Sequence, residues 1–460
     1  MGKYFGTDGI RGIVNAELDA HFIFDVHFAF KVGKAAAMIL AKKSNNKRPL
    51  FTIGKDTRIS CDMLEAAIIA GLCSAGADVM QLDVVPTPAV AFITKDCGAD
   101  AGIVISASHN SYEYNGIKMF NSQGLKLSDE LEAQIEEFIV SPPKELEIKH
   151  SQDIGKVTRG QEYVDRYVNH LVTLAEGRIS GRLKVLIDCA NGAATRTAKD
   201  VFGAFPLDFK IIADLPDGRN INLNCGSTHI KKNLSKMVVE GGFDLGIAFD
   251  GDADRCLSVD ENGEPVDGDK MMAICGAAMM REGKLKENTI VATVMSNLGF
   301  HEYCRKNEIQ LHCVDVGDRN VLQKMLDCGY NLGGEQSGHL IFLDDATTGD
   351  GQLAALRFLE VLSQSGKKLS ELAASIPTYP QILLNVPING GNQVKVEIME
   401  NKELSAIIEK EQKALGNSGR LLVRPSGTEA LIRVMVESID YAVAEAVAER
   451  LVEEIKRLAS

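Results

Sequence analysis

The sequence feature that most constrains the fold is an alternation of short apolar runs with longer segments of helical period. The runs are rich in β-branched residues and are bounded by glycine, aspartate or proline, as at 50–53, 102–105 and 245–249, and helical segments such as 22–42 separate them. This alternation is typical of βαβ units and of mostly parallel sheets. It occurs in three successive regions, and 460 residues suffice for three domains at about 150 residues each.

Turn-rich segments divide the chain between these regions. Pro142 and Pro143 precede a charged segment, and 376–380 contains two further prolines. Beyond them the pattern changes to a strand, a helical segment at 402–415, two more strands and an amphipathic helix at 441–458. We therefore predict three similar mixed-sheet α/β domains plus a C-terminal α+β domain around a central cleft. The predicted domains are 1–155, 156–255, 256–375 and 376–460.

Charge and cysteine content restrict the partners of the chain and its compartment. Lys and Arg number 50 against 63 Asp and Glu, so the net charge is −13, which repels nucleic acid and anionic membranes. The longest apolar stretches, such as 271–280, are far shorter than the roughly 20 residues that cross a bilayer. The ten cysteines form no CxxC pair, which argues against a redox dithiol or a cysteine zinc site. We expect a cytoplasmic protein without nucleic-acid or membrane partners.

A serine motif follows the apolar run at 102–105. Ser108 stands beside His109 and upstream of Lys118, a set of residues from which a nucleophile can be built. Taken alone, this pattern is more typical of a capped turn. The chain has no GxSxG elbow, which argues against a serine hydrolase.

An acidic motif follows the run at 245–249. Asp250, Asp252 and Asp254 stand at alternate positions, where three like charges repel one another unless a cation compensates them. A solvated acidic turn is the alternative, but the preceding apolar strand favours a Mg²⁺ site. A calcium EF-hand is excluded, because Arg255 occupies the position that requires a sharply turning glycine.

A third motif, GGEQSGH, spans 333–339. Its glycines free the backbone, and Glu335, Ser337 and His339 offer the paired donors and acceptors that hydroxyl-rich ligands need. A polar turn without a ligand explains these residues equally well.

A fourth motif, RPSGTE at 424–429, combines a cation, hydroxyl groups and a glycine. With Arg433 downstream, this composition favours an anion site, and it is more telling in an acidic chain. The candidate residues are Arg424, Ser426, Gly427, Thr428 and Arg433.

A glycine pair at Gly349 and Gly351, followed by Ala354, superficially matches a dinucleotide-binding fingerprint. The segment DDATT at 344–348 separates it from the preceding strand, and no second strand with an acidic end follows. We therefore discard a dinucleotide site.

Together, the ordered motifs GTDGIRG, ASHN, DGDADR, GEQSGH and RPSGTE resemble the α-D-phosphohexomutase superfamily over nearly the whole chain. The start MGKYFGTDGIRG, the alanine of DGDADR, VGDR at 316–319 and the glutamine of GEQSGH resemble the bacterial phosphoglucosamine mutase family. They are less similar to the phosphomannomutase/phosphoglucomutase family. Departures from the usual pattern are Ser111, Tyr114, Asn320 and Ala430, and none is a named catalytic position.

The resemblance implies four domains around a cleft and interconversion of glucosamine 6-phosphate and glucosamine 1-phosphate, for UDP-N-acetylglucosamine synthesis. It implies that Ser108 carries a phosphoryl group and, with Asp250, Asp252 and Asp254, holds one Mg²⁺ per chain. Glucosamine 1,6-bisphosphate or another phosphoryl donor would activate the enzyme.

The resemblance also assigns roles to the remaining motif residues. Arg11, Lys118 and Arg255 would stabilise the transferred group, with His109 beside the serine. Glu335, Ser337 and His339 would bind the sugar, and the RPSGTE residues with Arg433 the distal phosphate. The alternatives are a phosphomannomutase/phosphoglucomutase and a non-catalytic sugar-phosphate binding protein. By analogy we expect a monomer or homodimer.

Overall fold

The computed structural model describes residues 4–6, 8–19, 21–44, 48–143, 149–388, 391–426 and 431–459. The chain divides into two compact units, one of residues 1–295 with 309–374 and one of 296–308 with 375–460. Within the described residues, no helix combines the length and apolar character needed to cross a membrane.

The first domain is built on one mixed sheet. Its elements are β1 (Phe5–Gly6), β2 (Gly9–Ile13), α1 (Val26–Ser44), β3 (Leu50–Lys55), α2 (Cys61–Ser74), β4 (Asp78–Val84), α3 (Thr87–Asp96), β5 (Ala101–Ile105), β6 (Tyr114–Asn121), α4 (Asp129–Val140) and β7 (Val157–Arg159). The strands lie in the order β1-β2-β6-β5-β3-β4-β7. β3, β4, β5 and β7 are parallel, whereas β1, β2 and β6 pair antiparallel.

Helix α1 begins at Val26, whereas the apolar pattern predicts a start near Phe22. The Asp25 carboxylate accepts the backbone N–H groups of His27 (2.9 Å) and Phe28 (3.0 Å), as an N-cap does. Phe22 lies before the helix and packs edge-on against Phe28. Its apolar character therefore reflects burial in the same core rather than helical structure.

The second domain comprises β8 (Lys184–Asp188), β9 (Asp208–Ile212), β10 (Leu245–Phe249), β11 (Cys256–Asp260) and β12 (Pro265–Val266), with helices α5 (Gln161–Ala175), α6 (Ala198–Gly203) and α7 (Leu234–Gly241). The strands lie in the order β12-β11-β10-β8-β9. β8, β9 and β10 are parallel, and β11 returns antiparallel to β10.

The third region comprises α8 (Gly268–Arg281), β13 (Thr289–Thr293), α9 (Leu298–Lys306), β14 (Gln310–Val314), α10 (Asp318–Cys328), β15 (Leu332–Gly334), β16 (Leu340–Phe342), α11 (Gly351–Ser365) and α12 (Leu369–Ala373). Its sheet has the order β14-β13-β15-β16, and β15 and β16 form an antiparallel hairpin.

Two sheets extend past the predicted domain limits. β7 pairs with β4 beyond the limit at 155, and β11 pairs with β10 beyond the limit at 255, so that the second sheet runs on to Val266. In the second sheet the reason is that a strand returning antiparallel after a short loop stays in its sheet, although the loop looks like a boundary in the sequence. In the first sheet the added strand β7 runs parallel to β4 and follows the connection after α4.

The second compact unit contains β17 (Gln381–Pro387), α13 (Gly391–Met399), α14 (Lys402–Leu415), β18 (Gly419–Pro425), β19 (Leu431–Ser438) and α15 (Tyr441–Leu458). The strands pair antiparallel in the order β17-β19-β18. Helix α9 belongs to this unit, because buried Glu437 accepts both the Leu298 N–H at 3.1 Å and Arg420 Nε at 2.6 Å.

These elements confirm the predicted fold class of three mixed-sheet α/β domains and a C-terminal α+β domain. A central cleft completed by the fourth domain stays a prediction.

Candidate active site

Ser108 lies in the loop that follows the fully buried strand β5. Its side chain is buried and its φ is +50°, a left-handed conformation that is uncommon for serine. The hydroxyl donates to Asp250 Oδ2 at 2.6 Å, and His109 Nδ1 lies 3.3 Å from the same hydroxyl. Burial and the positive charges of Arg255 and Arg11 lower the pKa of His109 to about 4. The loop therefore holds an oriented hydroxyl between a carboxylate and an imidazole that is neutral at neutral pH.

Buried side chains outside the sequence motifs fix this loop. Arg58 Nη2 donates to the carbonyls of Ser108 (2.9 Å) and Asn110 (2.8 Å). Asn222 of the second domain donates to the same Ser108 carbonyl at 2.9 Å, and Asp56 Oδ2 accepts Arg58 Nε at 2.8 Å. The one sequence signal for Arg58 is its place just after β3, whose carboxyl end adjoins that of β5.

Asp250, Asp252 and Asp254 lie on the loop between the antiparallel strands β10 and β11. All three are buried, and each offers a carboxylate oxygen within 4.8 Å of the others. Ala253 forms the turn with φ +56°, and Thr87 at the start of α3 donates to Asp252 Oδ2 at 2.6 Å. The structure thus brings the three predicted carboxylates together beside Ser108.

The electrostatics of this cluster are uneven. Burial and the charges of the neighbouring carboxylates raise the pKa of Asp250 well above its ordinary value. Burial also opposes the charged form of Asp254, but Lys118 and His339 outweigh it and hold the pKa of Asp254 well below its usual range. Asp252 Oδ1 and Asp254 Oδ1 are buried without a hydrogen-bond partner among the described residues. An all-oxygen cluster with two such atoms suits a hard divalent cation such as Mg²⁺.

Lys118, on β6, supplies positive charge to the acidic cluster. Its Nζ lies 2.7 Å from Asp252 Oδ2, 3.2 Å from Asp254 Oδ2 and 3.0 Å from Asp8 Oδ2. Burial opposes the charge on Lys118, but these carboxylates outweigh it and raise the pKa of Lys118 well above its ordinary value. The ammonium group therefore stays charged throughout the neutral pH range.

Arg11 and Arg255 flank the serine and acidic loops. Arg11 donates from Nη1 to Asn110 Oδ1 at 3.3 Å and forms an ion pair with Asp8. Arg255 donates its backbone N–H to Asp250 Oδ1 at 3.2 Å. Each guanidinium has a buried Nε that makes no hydrogen bond in the described part of the chain, although Arg255 Nε lies 3.9 Å from Asp254 Oδ1 in an ion pair. Both groups can therefore still donate to an anionic ligand.

Glu335, Ser337 and His339 lie in the connection between β15 and β16. Glu335 Oε1 accepts the Gly317 N–H at 3.2 Å, and Ser337 Oγ donates to Glu335 Oε2 at 3.4 Å. His339 Nδ1 lies 3.8 Å from Asp254 Oδ2. Burial opposes protonation of His339, but the Asp254 carboxylate outweighs it and raises the pKa of His339. This hairpin thus faces the acidic loop.

A bridge of charged residues joins the first and third domains beneath the site. Lys126 Nζ lies 2.7 Å from Asp8 Oδ1 and also contacts Asp318. Arg319 donates to both carboxylate oxygens of Glu132, at 2.6 and 3.1 Å. Asp318 and Arg319 belong to the VGDR motif, whereas Lys126 and Glu132 stand in no sequence motif and were missed.

The remaining predicted residues lie in the second compact unit. Arg424 on β18 stands directly opposite Arg433 on β19, an arrangement that concentrates positive charge. Ser426 is buried, and its carbonyl accepts Lys395 Nζ at 2.8 Å. Lys395, on α13, is a further basic residue that the sequence analysis missed. Gly427 and Thr428 lie outside the described residues.

Known proteins match this chain over its full length. Family models described as phosphoglucomutase/phosphomannomutase domains I, II, III and the C-terminal domain match residues 2–144, 161–263, 267–379 and 383–454. A phosphoglucosamine mutase of Acetivibrio thermocellus is 49% identical over 440 residues, covering 96% of this chain and 96% of that protein.

Two solved structures share the fold. A phosphoglucomutase/phosphomannomutase family protein from Burkholderia thailandensis is 22% identical with a TM-score of 0.79, covering 100% of this chain and 99% of that one. Aspergillus fumigatus N-acetylphosphoglucosamine mutase, in complex with GlcNAc-6P and magnesium, is 16% identical with a TM-score of 0.69, covering 99% and 96%.

The four matched domains follow the order of the domains described above. With 49% identity over nearly the full length, they confirm the resemblance found in the sequence motifs. The chain belongs to the phosphoglucomutase/phosphomannomutase family, and within it to the phosphoglucosamine mutases.

Proposed function

We propose that the protein is an isomerase that interconverts glucosamine 6-phosphate and glucosamine 1-phosphate, on the route to UDP-N-acetylglucosamine and peptidoglycan precursors. The relative named phosphoglucosamine mutase supports the amino-sugar substrate. The observation that carries the proposal is the hydrogen bond of 2.6 Å from Ser108 Oγ to Asp250 Oδ2. This bond places a nucleophile in contact with the acidic cluster, whereas a simple capped turn does not require such a contact.

One Mg²⁺ per chain would be held by Asp250, Asp252, Asp254 and an oxygen of phosphorylated Ser108. The Oδ1 atoms of Asp252 and Asp254, which accept no hydrogen bond within the described residues, support this assignment, as does the magnesium in the Aspergillus fumigatus enzyme. Bound there, the cation would neutralise charge on the phosphoryl group.

In the active enzyme, Ser108 would carry the phosphoryl group. In the first transfer the P–O bond to Ser108 breaks, a P–O bond to the free sugar hydroxyl forms, the sugar hydroxyl loses its proton, and the freed Ser108 oxygen takes one up. Glucosamine 1,6-bisphosphate results, reorients, and returns its other phosphoryl group to Ser108, whose hydroxyl loses its proton while the freed sugar oxygen takes one up. Externally supplied bisphosphate or another phosphoryl donor would prime the cycle.

Three cations beside the serine and acidic loops would stabilise the group in transfer. Among the described residues, the Nε atoms of Arg11 and Arg255 make no hydrogen bond, and the raised pKa of Lys118 keeps its ammonium group charged. His109, neutral at working pH, would accept a hydrogen bond beside Ser108.

The remaining motif residues would hold the substrate in its two orientations. Glu335, Ser337 and His339 would bind the sugar, because they form one hairpin that faces the acidic loop. A fixed site for the non-reacting phosphate would be formed by Arg424, Ser426, Gly427, Thr428 and Arg433. Such a site allows either end of the sugar to face Ser108.

We also propose a cytoplasmic location and either a monomeric or a homodimeric state. Within the described residues the ten cysteines form no disulfide bond, and Cys61 and seven others are at least partly buried, which suits a reducing compartment. The expected partner is a small hexosamine phosphate, with neither nucleic acid nor membrane.

Parallel steady-state assays test the proposal. Glucosamine, mannose and glucose 1-phosphates are compared, each with Mg²⁺ and its matching bisphosphate, for the wild type, Ser108→Ala and the control Ser111→Ala. We expect the highest kcat/KM on the amino sugar, its loss in Ser108→Ala and its retention in Ser111→Ala. Faster mannose or glucose turnover would instead assign the sister activity. No wild-type turnover, with sugar-phosphate binding unaffected by Ser108→Ala, would support a non-catalytic binding protein.

A further inference from the structure

The glycine pair that superficially matches a dinucleotide-binding fingerprint, Gly349 and Gly351, packs against the candidate active site. Gly349 and Gly351 flank Asp350 at the start of α11, and both glycines approach parts of the site that lie elsewhere in the sequence. Neither glycine has a left-handed φ. Glycine is therefore needed at these two positions because a side chain would not fit, and not because of the backbone conformation.

Gly349 lies under the imidazole ring of His339. A Cβ atom at Gly349 would stand 2.5 to 2.7 Å from three ring atoms. Ordinary carbon contacts are about 3.5–4 Å, so any side chain would push the ring away by about 1 Å. Glycine thus allows the ring to occupy its position opposite Asp254.

The backbone of Gly349 also selects the protonation pattern of the ring. Its N–H donates to His339 Nε2 at 3.2 Å. Because a backbone N–H can only donate, Nε2 must accept, and a singly protonated ring carries its proton on Nδ1. Nδ1 is the nitrogen that lies 3.8 Å from Asp254 Oδ2, while Asp318 Oδ2 lies 3.6 Å from Nε2.

Gly351 approaches the acidic loop in the same manner. Its N–H donates to the Ala253 carbonyl at 2.9 Å. A Cβ at Gly351 would stand 2.5 Å from the Arg255 carbonyl oxygen and 2.8 Å from that of Ala253. Ala253 is the residue whose positive φ turns the chain between two of the three carboxylates. Gly351 therefore supports the turn on which the carboxylates converge.

Asp350, which lies between the two glycines, anchors this segment through hydrogen bonds of its carboxylate. One carboxylate oxygen caps α11 by accepting the N–H groups of Gln352 and Leu353, each at 3.0 Å. The other oxygen accepts the buried Tyr167 hydroxyl of α5 at 2.9 Å. The segment is thus anchored to both the second and third domains, and this anchoring fixes the positions of the two glycines.

We propose that residues 349–351 are a positioning segment: Gly349 sets the place and tautomer of His339, and Gly351 sets the turn of the acidic loop. This inference deepens the proposed function and rests on it for the role of His339. This positioning role, rather than dinucleotide binding, accounts for the two glycines of the motif. Both glycines make room for groups of the protein itself, the His339 ring and the acidic loop.

Gly→Ala substitutions test the two contacts separately. Gly349→Ala and Gly351→Ala are compared with Gly203→Ala, where a Cβ meets only Phe209 Cζ at 4.0 Å. Folding is checked by circular dichroism, and kcat, KM and Mn²⁺ affinity are measured. The nitrogen chemical shifts of the His339 imidazole, assigned by their absence in His339→Gln, report the tautomer independently of activity.

For Gly349→Ala we expect folded protein, a kcat lowered at least about tenfold with little change in KM, and unchanged Mn²⁺ affinity, since a displacement of ~1 Å can cost up to about 100-fold in rate. The imidazole shifts should change as Nε2 loses its donor. For Gly351→Ala we expect weaker Mn²⁺ binding. Gly203→Ala should resemble the wild type in every assay.

Unchanged imidazole shifts and kcat in Gly349→Ala would overturn the inference, as would Mn²⁺ affinity lost equally in both variants. If the wild type turned over no hexose phosphate, the proposed function would fail. The imidazole shifts and Mn²⁺ affinities would then decide the positioning inference on their own, because neither depends on turnover. Should Gly351→Ala not fold, Gly349→Ala decides it.

Discussion

Replacing Lys118 with methionine removes the ammonium group that contacts the acidic cluster most closely. Methionine retains much of the length and apolar volume of lysine, so that the change is chiefly one of charge. In the metal-free variant, Asp252 and Asp254 would lose contacts of 2.7 and 3.2 Å to a positive charge. Buried carboxylates left without that charge must either protonate or destabilise the fold.

The expected magnitude follows from these distances. At an effective dielectric constant of about 20, the attraction across 2.7 Å is about 6 kcal/mol. Removing one partner from a buried ion pair typically costs about 3–5 kcal/mol, because the remaining charge is left buried and uncompensated. The cost is below the full attraction because the desolvation of the lost charge is recovered. We expect Lys118→Met to lower the free energy of unfolding by this amount without divalent cations. With Mg²⁺ present we expect a distinctly smaller decrease, because the cation would supply the missing positive charge.

Urea unfolding with and without Mg²⁺ measures the loss, and far-ultraviolet circular dichroism is the suitable signal because the chain has no tryptophan. The control is Lys286→Met, which breaks an ion pair with Asp344 whose side chains are 52% and 50% exposed. Exposed pairs contribute about 0–1 kcal/mol. The reasoning is refuted if Lys118→Met costs no more than the control, or costs the same with and without Mg²⁺.

Three further predictions concern pH, loop rigidity and metal. Burial raises the pKa of Asp350 to about 6, above its unfolded value of about 3.9, so its stabilising contribution is complete below pH ~4 and is lost as pH rises through ~6. Relative to Asp350→Asn, the wild type should therefore lose up to about 3 kcal/mol between pH ~4 and ~7 in urea titrations, and identical pH profiles would contradict this. Arg58→Lys cannot reproduce the guanidinium contacts to the serine loop and should lower kcat about 10- to 100-fold in steady-state assays, whereas an unchanged kcat would exclude a positioning role. Removing divalent cations with a chelator should abolish turnover and Mg²⁺ should restore it, while Asp252→Asn should weaken Mn²⁺ binding in a titration; full affinity in that variant would argue against the site.

Strands buried on both faces were predictable from the sequence. β5 and β10 are buried throughout, and they read as continuous apolar runs because helices or other elements cover both faces. The acidic cluster was predictable for the same reason, since residues just past a buried strand lie at one edge of the sheet. Motif resemblance then assigned chemistry that periodicity alone left open.

In other elements the sequence pattern does not match the burial or the secondary structure that is observed. β6 lies centrally between β2 and β5 and is almost wholly buried, yet it contains Asn115, Gly116 and Lys118 and lacks an apolar run. Its polar residues serve the site rather than the core. Helix α3 presents the opposite problem, because a short apolar stretch preceded by prolines cannot be distinguished from a buried strand by period.

The residues that support the site were not predictable, because their roles arise from tertiary contacts. Arg58 and Asn222 are 164 positions apart in the chain, yet both donate to the carbonyl of Ser108. Lys126 joins Asp8 to Asp318 across two domains. Isolated polar residues of this kind follow no spacing rule, so only the folded structure identifies them.

The most direct test of the central claim follows a labelled phosphoryl group from Ser108 to the sugar. The enzyme is charged with radiolabelled glucosamine 1,6-bisphosphate, separated from excess reagent, and mixed with unlabelled glucosamine 6-phosphate and Mg²⁺. The account predicts that the label leaves the protein within one turnover and appears in the bisphosphate, and that Ser108→Ala takes up no label. Label that remains on the protein during turnover, or equal labelling of Ser108→Ala, would contradict the phosphoserine mechanism.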